Sequence, residues 1–121
     1  MTRITVVTAG HLSTCPRMLK AADAFHDAGY VVRVVSVSHT PWADEADQAV
    51  RRTRTWDWAC VPFGRAAAPW RYAVSGARRL AARRVSLAWP GPPPFALAAR
   101  AFSRPHIDLV RAAVATPTDL M

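Results

Sequence analysis

The sequence predicts an α/β fold, a parallel sheet with flanking helices, and three observations carry that prediction. Residues 4–7 contain Ile4, Val6 and Val7, a short run rich in β-branched residues of the kind buried on both faces of a sheet. Gly10 then lets the backbone turn, and Pro16 opens a helix from its favoured first position. Gly29 stops that helix, and a second apolar strand follows at once over residues 31–37. Strand, helix and strand in this order make a βαβ unit, whose crossover is right-handed and whose strands run parallel.

Each later element has its own signal. In the first helix Met18, Leu19, Ala22, Phe25 and Ala28 fall at helical spacing and are expected to pack on the sheet. Residues 38–42 form a loop at the same carboxyl edge as Gly10. Residues 43–52 predict a short helix, with Asp44, Glu45 and Asp47 placed where acids suit the helix dipole. Residues 55–63 (TWDWACVPF) have aromatic and β-branched content and a roughly alternating character and read as a third strand, with Pro62 marking an edge or an end. Over residues 69–85, Trp70, Val74, Ala77, Leu80, Ala81 and Val85 make an apolar stripe, with the arginines mostly off it. The run WPGPPP at 89–94 is a rigid turn. Helices follow over 95–102 and 105–115, the latter with Ile107, Val110 and Val114 on one face. Residues 116–121 (TPTDLM) read as a loop entering a further buried strand, so the expectation is one domain truncated at its fourth strand.

Hydrophobic residues make up 51% of the 121 residues and charged residues 20%, a globular composition for a single domain. The net charge of +8 is uneven, because residues 51–111 hold twelve arginines against Asp57 and Asp108. A basic half can meet phosphate, anionic lipid or an acidic partner, or can be a solvated helix face. Only Lys20 is a lysine; with the many alanines and prolines, that bias fits a GC-rich coding sequence as well as selection for guanidinium. Cys15 and Cys60 make neither a disulfide framework nor a metal site. Cys60 lies in an apolar run and is expected in the core, whereas Cys15 lies in the loop before the first helix with no base beside it. The N-terminus lacks the charged and apolar regions of a signal peptide, and the uncharged stretch at 85–99 is short and broken by prolines. The expectation is a cytoplasmic protein.

Chemistry concentrates in the loop AGHLSTCPR. Gly10 permits close backbone approach, and amides at the start of the helix can face an anion. His11, Ser13 and Thr14 add imidazole and hydroxyl groups, and Arg17 adds a fixed cation. The alternatives are structural: Ser13 or Thr14 capping the helix, Arg17 paired with Asp23, His11 packed in the loop. Neither G-x-x-x-x-G-K-[ST] nor G-x-G-x-x-G is present, and Ser38 and His39 stand where a dinucleotide site places an acid. P-loop and NAD-type binding are both disfavoured. An acid pair after the first strand, as in receiver domains, is replaced by Thr8, Ala9 and Gly10.

The opening ITVVTAGHLSTCPRMLKAADAFHDAGYVVRVVSVS resembles the start of the GT-B glycosyltransferases, in particular the large retaining group called family 4. The matching positions are Leu12, Ser13, Thr14, Pro16, Arg17, Lys20, Ala22, Ala24 and Gly29; Cys15 stands where that motif has a capping asparagine. The likeness covers residues 3–38. It implies a Rossmann-like acceptor-side domain over 1–121, about the first quarter to third of such an enzyme. It further implies sugar transfer from a nucleotide-sugar donor to a glycan or lipid acceptor hydroxyl, with no cofactor and no bound metal. The donor-binding equipment of the family lies in a C-terminal half, so no transfer is expected of these residues alone. Gly10, His11, Ser13, Thr14 and Arg17 are the residues expected to face the cleft, as substrate-binding and not proton-transfer groups. The second expectation is a small basic module that docks through residues 70–84, with Trp56, Trp58, Trp70 and Trp89, on an anionic membrane surface or nucleic acid. The absence of any nucleic-acid motif disfavours nucleic acid. The two readings are compatible in an enzyme peripheral to the inner face of the plasma membrane.

Overall fold

A computed structural model describes residues 1–66 and 68–121. The elements run β1 (Arg3–Val7), α1 (Pro16–Asp27), β2 (Val31–Ser38), α2 (Pro41–Arg52), β3 (Asp57–Pro62), α3 (Pro69–Ala88), α4 (Phe95–Phe102) and α5 (His106–Val114). The three strands form one parallel sheet in the order β1-β2-β3, with Ile4 beside Val32, Val34 beside Trp58, and Val37 beside Val61. Each helix starts at or directly after a proline: Pro16, Pro41 and Pro69 inside the first turn, Pro94 and Pro105 just before it. The start of α2 at Pro41, two residues before the predicted position, follows from the same fixed φ.

The period of two along the strands splits the core. Ile4, Val6, Val32 and Val34 face α1 and α2, where they meet Leu12, Ala22, Met18, Leu19 and Val50. Val35, Val37, Val61 and Phe63 face the other way, onto Leu109 and Ala112 of α5 and Tyr72 of α3. Both faces of β2 are therefore covered, and its run of valines is fully buried from Val34 to Val37 apart from the equally buried Ser36. Ser36 accepts a hydrogen bond from Trp58 Nε1 at 2.7 Å, which satisfies its hydroxyl within the sheet face.

The chain then returns to the free edge of β1. Leu120 bridges Ile4 in parallel, and Thr5 N–H donates to the Leu120 carbonyl at 2.9 Å. The order across this edge is Leu120, β1, β2, β3. The crossovers through α1 and α2 lie on one face, and the connection through α5 lies on the other.

Four expectations change. Phe25 does not pack on the sheet but stacks edge-on against Tyr30 at 6.1 Å. This is the hydrophobic contact of a Schellman motif: Tyr30 N–H donates to the Phe25 carbonyl, Gly29 N–H to that of His26, and Gly29 takes φ +89°. Cys60 is exposed, because β3 is an edge strand. In α3 the buried residues are Ser75 and Ala82, while Trp70, Leu80 and Val85 of the predicted stripe are exposed; the helix packs mainly on alanine-rich α4. In α5 the buried residues are Leu109 and Ala113, leaving Val110 and Val114 outside.

Candidate functional site

The carboxyl ends of the strands feed three loops whose backbones are joined. Val37 N–H donates to the Gly10 carbonyl at 3.2 Å, and Phe63 N–H donates to the Ser38 carbonyl at 2.7 Å. Gly64 lets the third loop touch the second, since a Cβ there would stand 2.9 Å from the backbone oxygen of His39.

The first two loops are clamped by a buried pair of titratable residues. Asp47 lies one turn after buried Ala43, on the face of α2 that turns inward, and is 1% exposed. Its carboxylate accepts from Ser13 N–H at 2.6 Å, Leu12 N–H at 3.2 Å and His11 Nδ1 at 3.0 Å. Burial works against the charged form, but the hydrogen bonds from Ser13, His11 and Leu12 outweigh it and hold the carboxyl below the ordinary aspartate range. Across the ring, His11 Nε2 accepts from the N–H groups of His39 and Thr40, both at 3.1 Å. That fixes the neutral tautomer with its proton on Nδ1. The ring is 1% exposed and its free lone pair is already in use, so His11 positions the loop and does not meet a ligand as a base.

Of the other predicted residues, Thr14 and Arg17 are exposed, while the Ser13 hydroxyl is buried with no hydrogen-bond partner. Gly10 and Ser13 are half-buried; Thr14 is exposed and donates from Oγ1 to the His11 carbonyl at 3.1 Å. Arg17 is exposed in the first turn of α1, with no carboxylate within 4 Å among the described residues; Asp23 is instead held by Arg54 and Trp56. Cys15 occupies the cap position of α1 without a side-chain capping bond, and its sulfur accepts from the Thr8 hydroxyl at 3.2 Å.

A cavity of about 350 Å³ opens beside this loop. Ala9, Val37, His39 and Phe63 supply the strand-end wall, and Arg79 and Arg104 the wall from the helices. None of Gly10, His11, Ser13, Thr14 or Arg17 lines it. Sequence reasoning missed Asp47, Thr40, Arg79 and Arg104 as parts of this edge. Asp47 carried a legible signal, an acid on the same helical face as Ala43 and Val50, where a buried carboxylate requires donors.

His11 Nδ1 and the carboxylates of Asp44 and Asp47 lie within 4.8 Å of one another, a spacing a metal could use. The hydrogen bonds of the clamp already occupy Nδ1 and both oxygens of Asp47, which accounts for the cluster without an ion.

These features define a Rossmann-like α/β domain with a hydrogen-bonded loop at the carboxyl edge of its sheet. Searches of protein-family models, curated proteins and solved structures match nothing to this chain. Among the described residues, no helix is long and apolar enough to cross a membrane.

Proposed function

We propose that this chain is the acceptor-side domain of a GT-B glycosyltransferase, in which the loop after β1 receives the sugar-accepting molecule. The observation that carries the proposal is topological. Leu120 and β2 flank β1 on opposite sides, and the connections leading to them cover opposite faces of the sheet. Loops leaving such a position diverge and open a crevice, the usual ligand site of a parallel α/β sheet. The loop that leaves β1 here is residues 8–15, and with the first turn of α1 it carries the L-S-T-x-P-R likeness. Thr14 and Arg17 are exposed there, Gly10 is half-buried, the Ser13 hydroxyl is buried, and His11 with Asp47 holds the loop from behind. The reaction would join an acceptor hydroxyl to a sugar released from a nucleoside diphosphate.

Amide chemical shifts of the ¹⁵N-labelled chain test this reading. Titration with octyl glucoside, octyl mannoside, uridine diphosphate and guanosine diphosphate is expected to move the Gly10, Ser13 and Thr14 amides with the glycosides. Glycosides that leave this loop unmoved at saturation would overturn the reading.

A specific observation favours the anionic membrane as a second partner. Leu87, Phe95 and Phe102 are at least 80% exposed on α3 and α4, close in sequence to Arg83, Arg84 and Arg100. Exposed apolar side chains among arginines suit the interface of an anionic bilayer. Co-sedimentation with phosphatidylglycerol vesicles is expected to weaken as salt rises, and further in the Phe95→Ser/Phe102→Ser variant. Failure to sediment even at low salt rejects it.

A further inference from the structure

We infer that the arginine-lined cavity between α3, α4 and α5 is a binding site for a phosphoryl group. This inference does not rest on sugar transfer, and it concerns a different part of the domain from the Gly10 loop.

Six arginines converge there: Arg71, Arg78 and Arg79 from α3, Arg100 from α4, Arg104 from the following turn and Arg111 from α5. The cavity measures about 210 Å³, and Asp108 is the one acid in its wall. Among the described residues none of the six has a carboxylate within 4 Å; the arginine ion pairs are Arg33 with Asp57 and Arg54 with Asp23. Arg71, Arg78, Arg79, Arg100 and Arg111 are exposed and Arg104 is half-buried, and six cations around one small space raise its positive potential toward an anion.

Two of them are held in place. The Arg104 guanidinium stacks 4.1 Å from the Tyr72 ring centroid and lies over Gly76, where a Cβ would run into it. Its Nε is buried with no hydrogen-bond partner. Arg79 donates from Nε to the Ala101 carbonyl at 3.3 Å, leaving its two terminal nitrogens for another acceptor. A planar guanidinium with its rotamer already fixed loses little freedom on binding and matches two oxygens of a phosphate at once. Ser75 and Ser103 add hydroxyls to the wall, although Ser75 already donates to the Tyr72 carbonyl at 2.8 Å. Arg79, Ser103 and Arg104 also line the cavity at the strand ends, so a phosphate ester held here could extend its organic part toward Ala9 and His39. The chemistry is that of a phosphate monoester or diphosphate, free or as a lipid headgroup.

Calorimetric titration of the full chain with inorganic pyrophosphate at about 0.15 M salt tests the site. Saturable one-to-one binding is expected. Arg78→Gln/Arg104→Gln should weaken it at least about tenfold, since each charged fork lost removes a strong hydrogen-bonding pair. The charge-matched Arg3→Gln/Arg52→Gln variant, outside the cavity, should change it less than about twofold because its charges are screened. Equal losses in the two variants, or no saturation with pyrophosphate, overturn the inference. If the Arg104 variant does not fold, exposed Arg100→Gln replaces it, with a smaller loss still expected to exceed that of the control. Two further arms separate the sources. Binding of glycerol 3-phosphate identifies a free ester, whereas binding only to phosphatidylcholine vesicles carrying phosphatidic acid identifies a headgroup. Binding to neither overturns the inference.

Discussion

Asp47→Ala is expected to destabilise the domain by about 3–5 kcal/mol, because it strands buried donors that a single carboxylate now serves. Three groups lose their acceptor together: the amides of Leu12 and Ser13 and the Nδ1 proton of His11. Thermal unfolding should shift down by roughly 10–20 °C. Asp47→Asn keeps one acceptor oxygen but turns an amide donor toward the remaining N–H, so it should lose less and still be clearly weaker than wild type. The pH dependence has a definite sign. The folded carboxyl titrates below its unfolded value, so its contribution is complete above about pH 4 and is lost as the pH falls through the folded value. Acid titration of stability should therefore show a steeper loss in wild type than in Asp47→Asn. Identical acid profiles would show that the carboxylate does not carry the clamp.

His11→Leu is the second large effect, expected near 3 kcal/mol, about one buried charge–donor pair broken together with an imidazole acceptor. Leucine fills similar space but gives Asp47 nothing and leaves the His39 and Thr40 amides without Nε2. The two changes should not add. A double-mutant cycle should return a coupling of about 1–3 kcal/mol, as residues sharing one hydrogen-bond network do. Imidazole ¹⁵N shifts give an independent readout: wild-type His11 should show a protonated Nδ1 and a bare Nε2. The reverse tautomer, or additive losses, would remove the positioning role assigned to this ring.

The sheet and its first helix were legible because the signals there are local and physically redundant. A β-branched run, a proline at the helix start and a glycine at its end all fix the same boundaries, and Gly29 indeed takes a positive φ. Legibility fails where burial depends on which neighbour a helix meets. In α3 the eye follows Trp70, Leu80 and Val85, but the neighbouring α4 is alanine-rich, and close approach places Ser75 and Ala82 inward. In α5 the same misjudgement, a rotation of one residue, exchanges Val110 and Val114 for Leu109 and Ala113. The site was partly readable. The Gly10 loop was placed at the right edge of the sheet, yet its anchor is 34 to 36 residues away on α2, and a helix-dipole reading of Asp47 hides that role. Arg104 gave no signal at all, since its meaning arises only when Tyr72 and Gly76 come beneath it.

The bridge between Ile4 and Leu120 has a consequence for the order of assembly. Pairing β1 with β2, and β2 with β3, joins residues separated by a single intervening helix, so those contacts need only short excursions of the chain. Ile4 and Leu120 stand 116 positions apart, so bringing them together closes a far longer loop. The entropy of that closure must be met before its few hydrogen bonds form. The outer margin of β1 is thus the last seam to shut and the first to open, and it borders the same strand whose far end carries the Gly10 loop.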